Sequence, residues 1–430
     1  MSNKRTSLND SPLAQLFAAT DQRGGGDATE RPQAGPIITP EPKADPDAKA
    51  PAEAAEQAAP RSAGTAASGA GIAPIVADAS TYLAVIRVVG VGGAGINAIE
   101  RMMESDVRGV EFVAINTDLQ QLEISNAPVR LHIGNELTGG LGSGADPEVG
   151  RSAAEASYDH LRHVLKGSDM VFVTCGEGGG TGTGAAPVVC RAARELGALT
   201  VAIVTTPFSF EGSTRQRSAG SGLEELRKHA DTVIVIPNNR LLEVLHRDVS
   251  MVEAFRVADD VLRQGVQGIT DLITMPGLIN VDFADVRTIM SDSGNALMGI
   301  GFGTGEQRAR DAALSAIGSP LIEQAPTGAG GILLSISGGD DLTLHEVTEA
   351  ARIIQENAAP NANIIFGATV DSRLTGQVWV TVVATDFGPS KKPSVADRFG
   401  VAPRGRGEIQ QAASGDTDGG DDIELPDFLR

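Results

Sequence analysis

Cysteine is almost missing from this chain: Cys175 and Cys190 are the only two in 430 residues. Two thiols in apolar contexts do not make a disulfide framework, and they suit a reduced, cytoplasmic setting. Cys175 closes a buried-looking strand and reads as a small core residue. Positive charge is also in deficit. Lys and Arg number 35 against 55 Asp and Glu, a net charge of −20. Such a surface repels a nucleic-acid backbone, so no nucleic acid is expected as partner. No apolar run approaches the ~20 residues of a spanning helix, so no direct membrane insertion is expected. Lys4 and Arg5 precede no apolar stretch, which excludes a secretion signal. The length suffices for two domains and a large core.

Glycine, in contrast, occurs 52 times, and two turns concentrate it. Gly90-Val-Gly-Gly-Ala-Gly95 follows the apolar run 84–89, and Gly176-Glu-Gly-Gly-Gly-Thr-Gly-Thr-Gly184 follows the run 170–174. Each opens onto a helical pattern. A glycine turn at a helix N-terminus aims N–H groups and a positive dipole end at an anion. Taken alone, Gly90, Gly92 and Gly95 fit G-x-G-x-x-G, which leaves three readings: an NAD(P) site, another phosphate loop, or a tight turn for helix packing. A dinucleotide fold needs one such turn, and the second is too glycine-dense for an ordinary connection. No Lys follows its glycines, so it is not a Walker A loop. Backbone N–H groups, the Thr181 and Thr183 hydroxyls and a helix dipole must then hold a polyphosphate, helped by a divalent cation.

Residues 1–80 are rich in Ala, Pro, Gly, Glu and Asp with hardly any aromatics, a composition that reads as a disordered arm. Leu8, Leu13, Leu16 and Phe17 form its one apolar patch. From about 84 to 237 short apolar runs alternate with helical patterns, which predicts a parallel sheet with helices on both faces and ligands at the strands' carboxyl ends. A long helix follows, opened by an S-x-x-E box at Ser250 and Glu253, continued by Phe255, Leu262, Val266, Ile269 and Ile273, and stopped at Pro276-Gly277. Residues 280–387 mix helical stretches (306–317, 343–357) with strand-like runs and read as a smaller α+β layer. Residues 388–420 are a Pro/Gly/Ser-rich linker carrying Lys391, Lys392, Arg398, Arg404 and Arg406. The last ten residues combine acidic and apolar character, as docking peptides do.

The segment Gly-Gly-Gly-Thr-Gly-Thr-Gly at 178–184 resembles the signature of the tubulin/FtsZ superfamily. Asn280-Val-Asp-Phe-Ala-Asp285 resembles the acidic synergy loop of the FtsZ family, the bacterial cell-division GTPases. Phe208-Ser-Phe-Glu-Gly212 with Arg215, and Ile236-Pro-Asn238, match as well. The resemblance runs from about Val85 to Phe387 and resumes at 421–430. It implies an α/β fold: an N-terminal arm (1–83), a parallel-sheet GTP-binding domain (84–249), a central helix and linker (250–279), an α+β domain (280–387), a linker (388–420) and a docking peptide (421–430). It also implies GTP as substrate, Mg2+ and a monovalent cation as cofactors, head-to-tail self-assembly at the midcell division site under the inner membrane, and membrane-anchored adaptors of the FtsA or SepF type on the final peptide.

The resemblance also assigns site residues. Gly92, Gly93, Ala94, Gly95, Ile96 and Asn97 match the first phosphate loop, with Ala94 and Ile96 departing from its usual glycine- and asparagine-rich pattern. Gly179, Gly180, Thr181, Gly182 and Thr183 match the second. Asn116, Thr117 and the loop containing Gly142 match the region of the terminal phosphates. Glu211, Arg215 and Asn238 match ribose and phosphate contacts. Phe255 and Asp259 match the cover and reader of the guanine. They lie i, i+4 on one helix face; without the resemblance, core packing and a solvated or Arg263-paired charge are the simpler readings. The catalytic assignment falls on Asn280, Asp282 and Asp285. The helix separating them from Phe255 spans on the order of 35 Å, so they must act on a neighbour's nucleotide. His160 and His163 are an i, i+3 pair with no evident third ligand and read as a solvated helix face.

Overall fold

The computed structural model describes residues 36–39, 84–243, 245, 249–275, 277–321 and 328–387. The rest of the arm, the basic linker and the terminal peptide lie outside the described residues, as does the patch from Leu8 to Phe17.

The N-terminal half alternates strands and helices. Strand β1 is Ile37–Ile38, followed by β2 (Ile86–Val91), α1 (Gly92–Glu104), β3 (Val110–Asn116), α2 (Leu119–Ile124), β4 (Val129–His132), α3 (Asn135–Thr138), α4 (Pro147–Ala156) and α5 (Tyr158–Leu165). Then come β5 (Met170–Gly176), α6 (Thr181–Glu195), β6 (Leu199–Thr206), a 3-10 turn (Ser209–Glu211), α7 (Ser213–His229), β7 (Thr232–Pro237) and α8 (Asn238–Leu241). Strands β2 to β7 pair in parallel. Their near-continuous apolar runs follow from burial on both faces. On one face Val88, Ile203 and Ile234 pack with Ile99 of α1 and Leu262 of the long helix; on the other, Val89, Val173 and Val204 pack with Val189 and Cys190 of α6. Both cysteines are buried and free, Cys175 among the core residues of β5.

Inside the stretch read as an arm, Ile37 and Ile38 form a two-residue strand parallel to Arg130 and Leu131 at the outer edge of β4. Ile37 is half-buried against the core.

Helix α9 (Met251–Thr274) has 24 residues. Val257, Val261, Leu262, Val266, Ile269 and Leu272 bury its inner stripe. The Ser250 hydroxyl accepts from the Glu253 N–H at 3.2 Å. The reciprocal half of the expected box is not made, since Glu253 turns toward Arg256 at 3.9 Å. Helix α10 (Phe283–Met290) follows the turn after α9.

The C-terminal half comprises β8 (Gly294–Thr304), α11 (Arg308–Ile317), β9 (Gly331–Gly338), α12 (Leu344–Glu356), β10 (Asn363–Val370), a 3-10 turn (Ser372–Leu374) and β11 (Gln377–Thr385). Helix α12 begins with a complete capping box, Thr343 with Glu346. The strands form one run in the order β1-β4-β3-β2-β5-β6-β7-β8-β11-β9-β10. Strand β8 joins the halves: Gly294, Asn295 and Ala296 pair in parallel with β7, while 297–304 pair antiparallel with β11. The whole is a mixed, mostly parallel α/β architecture. Among the described residues no helix is long and apolar enough to cross a membrane.

Candidate nucleotide site

A cavity of about 520 Å³ opens at the carboxyl ends of the parallel strands. Both glycine turns form its floor. In the first, Val91 is extended and Gly92 takes φ 70. A Cβ at Gly92 would sit 2.9 Å from the Gly182 N, so the two turns touch and only glycine fits between them. In the second, Gly180 leads into α6, and a Cβ on Gly179 would meet nothing within 4 Å, which leaves that face open to the cavity. Neither α1 nor α6 has a side chain capping its N-terminus. Their first N–H groups and dipole ends are therefore available to an anion.

Hydroxyls tie the floor together. Thr117 Oγ1 meets Thr181 Oγ1 at 2.6 Å, and Ser143 Oγ meets the same atom at 3.1 Å. Asn116 accepts from the Thr117 N–H at 2.9 Å and donates to Gln121 Oε1 at 3.0 Å. Arg215 is the one cationic side chain on the cavity wall among the described residues, and it pairs with Glu211 at 2.6 Å. Glu211 also accepts from the Phe208 N–H at 2.8 Å.

The far end suits a planar base. Phe208 is fully buried; Phe210 stacks on it with centroids 5.1 Å apart, and Phe255 meets it edge-on at 5.4 Å. Phe255 is 38% exposed, too much for a core side chain, so it offers its ring to the cavity. One helical turn on, burial pushes the Asp259 carboxyl up to about 7, with Arg101 opposing and Asp260 reinforcing the rise. Asn238, at the start of α8, is buried with its Oδ1 unpartnered on the wall. A buried acceptor without a donor is costly and fits a ligand N–H or O–H.

The cavity wall contains Gly92, Gly93, Ala94, Asn116, Gly142, Gly179, Gly180, Thr181, Gly182, Glu211, Arg215, Asn238, Phe255 and Asp259. Five other assigned residues stand behind or beside it. Ile96 is core, Gly95 packs against β5 at the Thr174 carbonyl, and Asn97 faces solvent on α1. Thr117 and Thr183 brace the floor through their hydroxyls. Sequence reasoning missed Asp118, Gln121 and Glu177, which also line the wall, as does Ser143 from the loop 139–144 matched to the terminal phosphates. Ser143 and Glu177 were visible as non-glycine residues inside glycine-dense segments.

Asn280, Asp282 and Asp285 do not line the cavity. Asn280 Oδ1 accepts from the Gly277 N–H at 2.7 Å, and Asp282 caps α10 by accepting from the Asp285 N–H at 2.8 Å. All three residues are exposed. Among the described residues no three His, Cys, Asp or Glu side chains are grouped to hold a metal.

Fold and cavity together are those of a nucleotide-binding α/β protein whose pocket presents backbone N–H groups and hydroxyls suited to phosphates. The chain matches the Tubulin/FtsZ family GTPase domain over residues 85–246 and the FtsZ family C-terminal domain over 294–388. An empty FtsZ dimer from M. jannaschii is 44% identical, with 74% of this chain and 96% of that chain covered and a TM-score of 0.69. A point mutant of M. jannaschii FtsZ is 47% identical over 70% of this chain and 91% of that one, also at 0.69. CetZ2 from Haloferax volcanii, a GTPγS-bound protofilament, shares the fold at 22% identity, covering 70% and 92% with a TM-score of 0.59. The chain belongs to the FtsZ family, and its activity is that of a tubulin/FtsZ-type GTPase.

Proposed function

We propose that this chain polymerises head to tail and that each nucleotide is hydrolysed only when a neighbouring copy supplies Asn280, Asp282 and Asp285. One observation carries this reading. Phe255 and Asp259 border the cavity near the start of α9, whereas the aspartate-bearing turn lies beyond its end, about 28 Å along the axis from Phe255 and about 22 Å from Asp259. The carboxylates are exposed and have no substrate of their own within reach. A second copy stacked on the cavity would bring them to the γ-phosphate, where they would orient and polarise the attacking water. That contact is heterologous and does not close, so it propagates as a filament. The dimeric M. jannaschii relative supports self-association.

Within this reading, 84–249 is the nucleotide-binding domain and 280–387 the domain that carries the acidic turn. Mg2+ enters with the phosphates, whose hard oxygens are its ligands, and offsets charge in the transition state. The wall suits it, since its one cation among the described residues, Arg215, is already paired with Glu211 and Asp118 adds a further carboxylate. A monovalent cation is a further component of the proposal. The filament assembles at the midcell division site, tethered through residues 421–430 to FtsA- or SepF-type adaptors.

The test is GTP turnover against protein concentration, read together with light scattering. A threshold common to both signals is expected, and Asp285→Ala should bind GTP yet lose turnover. Full turnover by that variant, or by dilute monomer, would sink the shared-site mechanism. Removal of 421–430 should leave assembly intact and abolish adaptor binding.

A further inference from the structure

Glu177 is the first residue after β5 and the one acid within the second glycine turn. Its side chain turns inward, and the residue is 4% exposed. The Cys175 thiol donates to Oε1 at 3.4 Å. Oε2 has no hydrogen-bond partner. It stands against Gly222 of α7 beside the Thr183 methyl, so tightly that a Cβ on Gly222 would overlap both. Beside it, the Thr183 hydroxyl accepts from the Gly178 N–H at 2.8 Å. The Glu177 N–H is fixed to the Thr205 carbonyl of β6 at 2.9 Å.

We propose that the charge state of the buried Glu177 carboxyl, unpaired on the phosphate turn, is coupled to binding of the nucleotide's phosphates. The proposal rests on the reading of this cavity as the GTP site. The groups that face the carboxyl are the Cys175 thiol on β5, the Thr183 hydroxyl and Cys190 thiol on α6, backbone on β6, and Gly222 on α7. None of them is cationic, and the one hydrogen bond the carboxyl receives among the described residues comes from a thiol, a weak donor. Burial accordingly pushes the carboxyl up to about 7, with Cys175 and Thr183 opposing. A polyanion seated on the same turn adds like charge and raises it further. Binding then takes up a proton. By linkage, affinity is full below about pH 7 and falls as the pH rises through the free and then the bound value.

The experiment is equilibrium binding of a non-hydrolysable GTP analogue with saturating Mg2+ to the full chain between pH 6 and pH 9. Wild type, Glu177→Gln and Thr183→Ser are compared, so the ligand's own titration cancels. Relative to Glu177→Gln, wild-type affinity should drop on the order of tenfold across that range. Thr183→Ser keeps the hydroxyl and should keep the wild-type profile. Calorimetry in two buffers of different ionisation heat should show more proton uptake by wild type than by Glu177→Gln, the proton exchange at Asp259 being common to both. Parallel profiles for wild type and Glu177→Gln would overturn the proposal, as would loss of the profile in Thr183→Ser. If Glu177→Gln does not fold, buffer-independent binding heats in Asp259→Asn, where Glu177 is the remaining acid with a raised value on the wall, would overturn it alone. A wild type that binds no guanine nucleotide at any pH would remove the assignment of the cavity itself. Binding with a flat profile would remove only the role of Glu177.

Discussion

The hydroxyls of Thr117 and Thr181 meet at 2.6 Å, joining the loop after β3 to the first residue of α6 beneath the cavity. Ser143 completes the set from a third segment. Three chain segments distant in sequence therefore share one oxygen beneath the cavity.

Thr181→Val preserves the shape of that residue and deletes the shared oxygen. Thr117 and Ser143 then lose a partner each, a cost of about 1–3 kcal/mol where the groups are buried. Nucleotide affinity should fall at least tenfold, measured by equilibrium titration. A variant that binds as tightly as wild type would show that the floor needs no hydroxyl tie.

Phe255→Ala separates ring contact from folding. The ring is 38% exposed and touches Phe208 at its edge. Its removal should cost little thermal stability in the empty protein. Loss of stacking on the base, about 1–2 kcal/mol, should weaken GTP binding roughly tenfold. An equal loss of GTP and inorganic triphosphate affinity would contradict contact with the base.

Asp259 gives a pH signature of its own. Its folded value of about 7 lies above the ordinary 3.8. The folded state therefore holds a proton that the unfolded state releases. Stability of the empty protein should fall as pH rises from about 4 through about 7. Asp259→Asn should flatten this slope and, at pH 8, melt higher by an amount on the order of 1–2 kcal/mol. The same variant should bind GTP more weakly, because an amide cannot accept from both N1–H and the exocyclic amine as a carboxylate does. Chemical denaturation across pH, paired with binding, checks both signs.

Gly184→Ala addresses how the second helix reaches the cavity. A Cβ there would overlap the Pro147 carbonyl and the Arg151 amide of α4. The two helices cross backbone to backbone, and separating them should cost about 3 kcal/mol or more. Urea unfolding reads this directly, and a neutral result would mean α4 can slide freely.

Much of this was legible from residue pattern. The alternation of apolar runs and helical periods reflects burial of a parallel sheet on both faces, and the two glycine turns emerge where strands end. The C-terminal helices expected at 306–317 and 343–357 correspond to Arg308–Ile317 and Leu344–Glu356. The double pairing of β8 was not legible, because hydrophobicity records that a strand is covered and not which neighbour covers it. Ile37 and Ile38 were lost in a composition average over eighty residues, since two residues carry no period. The Thr343 box escaped notice while the Ser250 box was overread. Both have the same spacing, and only tertiary surroundings decide whether the glutamate folds back. Glu177 was hidden by its company, because glycines on both sides suggested a backbone site and drew attention from the one acid there.

Strand β8 has a mechanical corollary. Only the rungs Thr232 to Gly294, Val233 to Asn295 and Ile234 to Ala296 stitch it to β7, against eight to β11. The eleven-strand ribbon thus has a weak seam at that point. Strain from a pulled or twisted filament would concentrate there, and amides of 294–296 should trade deuterium ahead of those in 297–304.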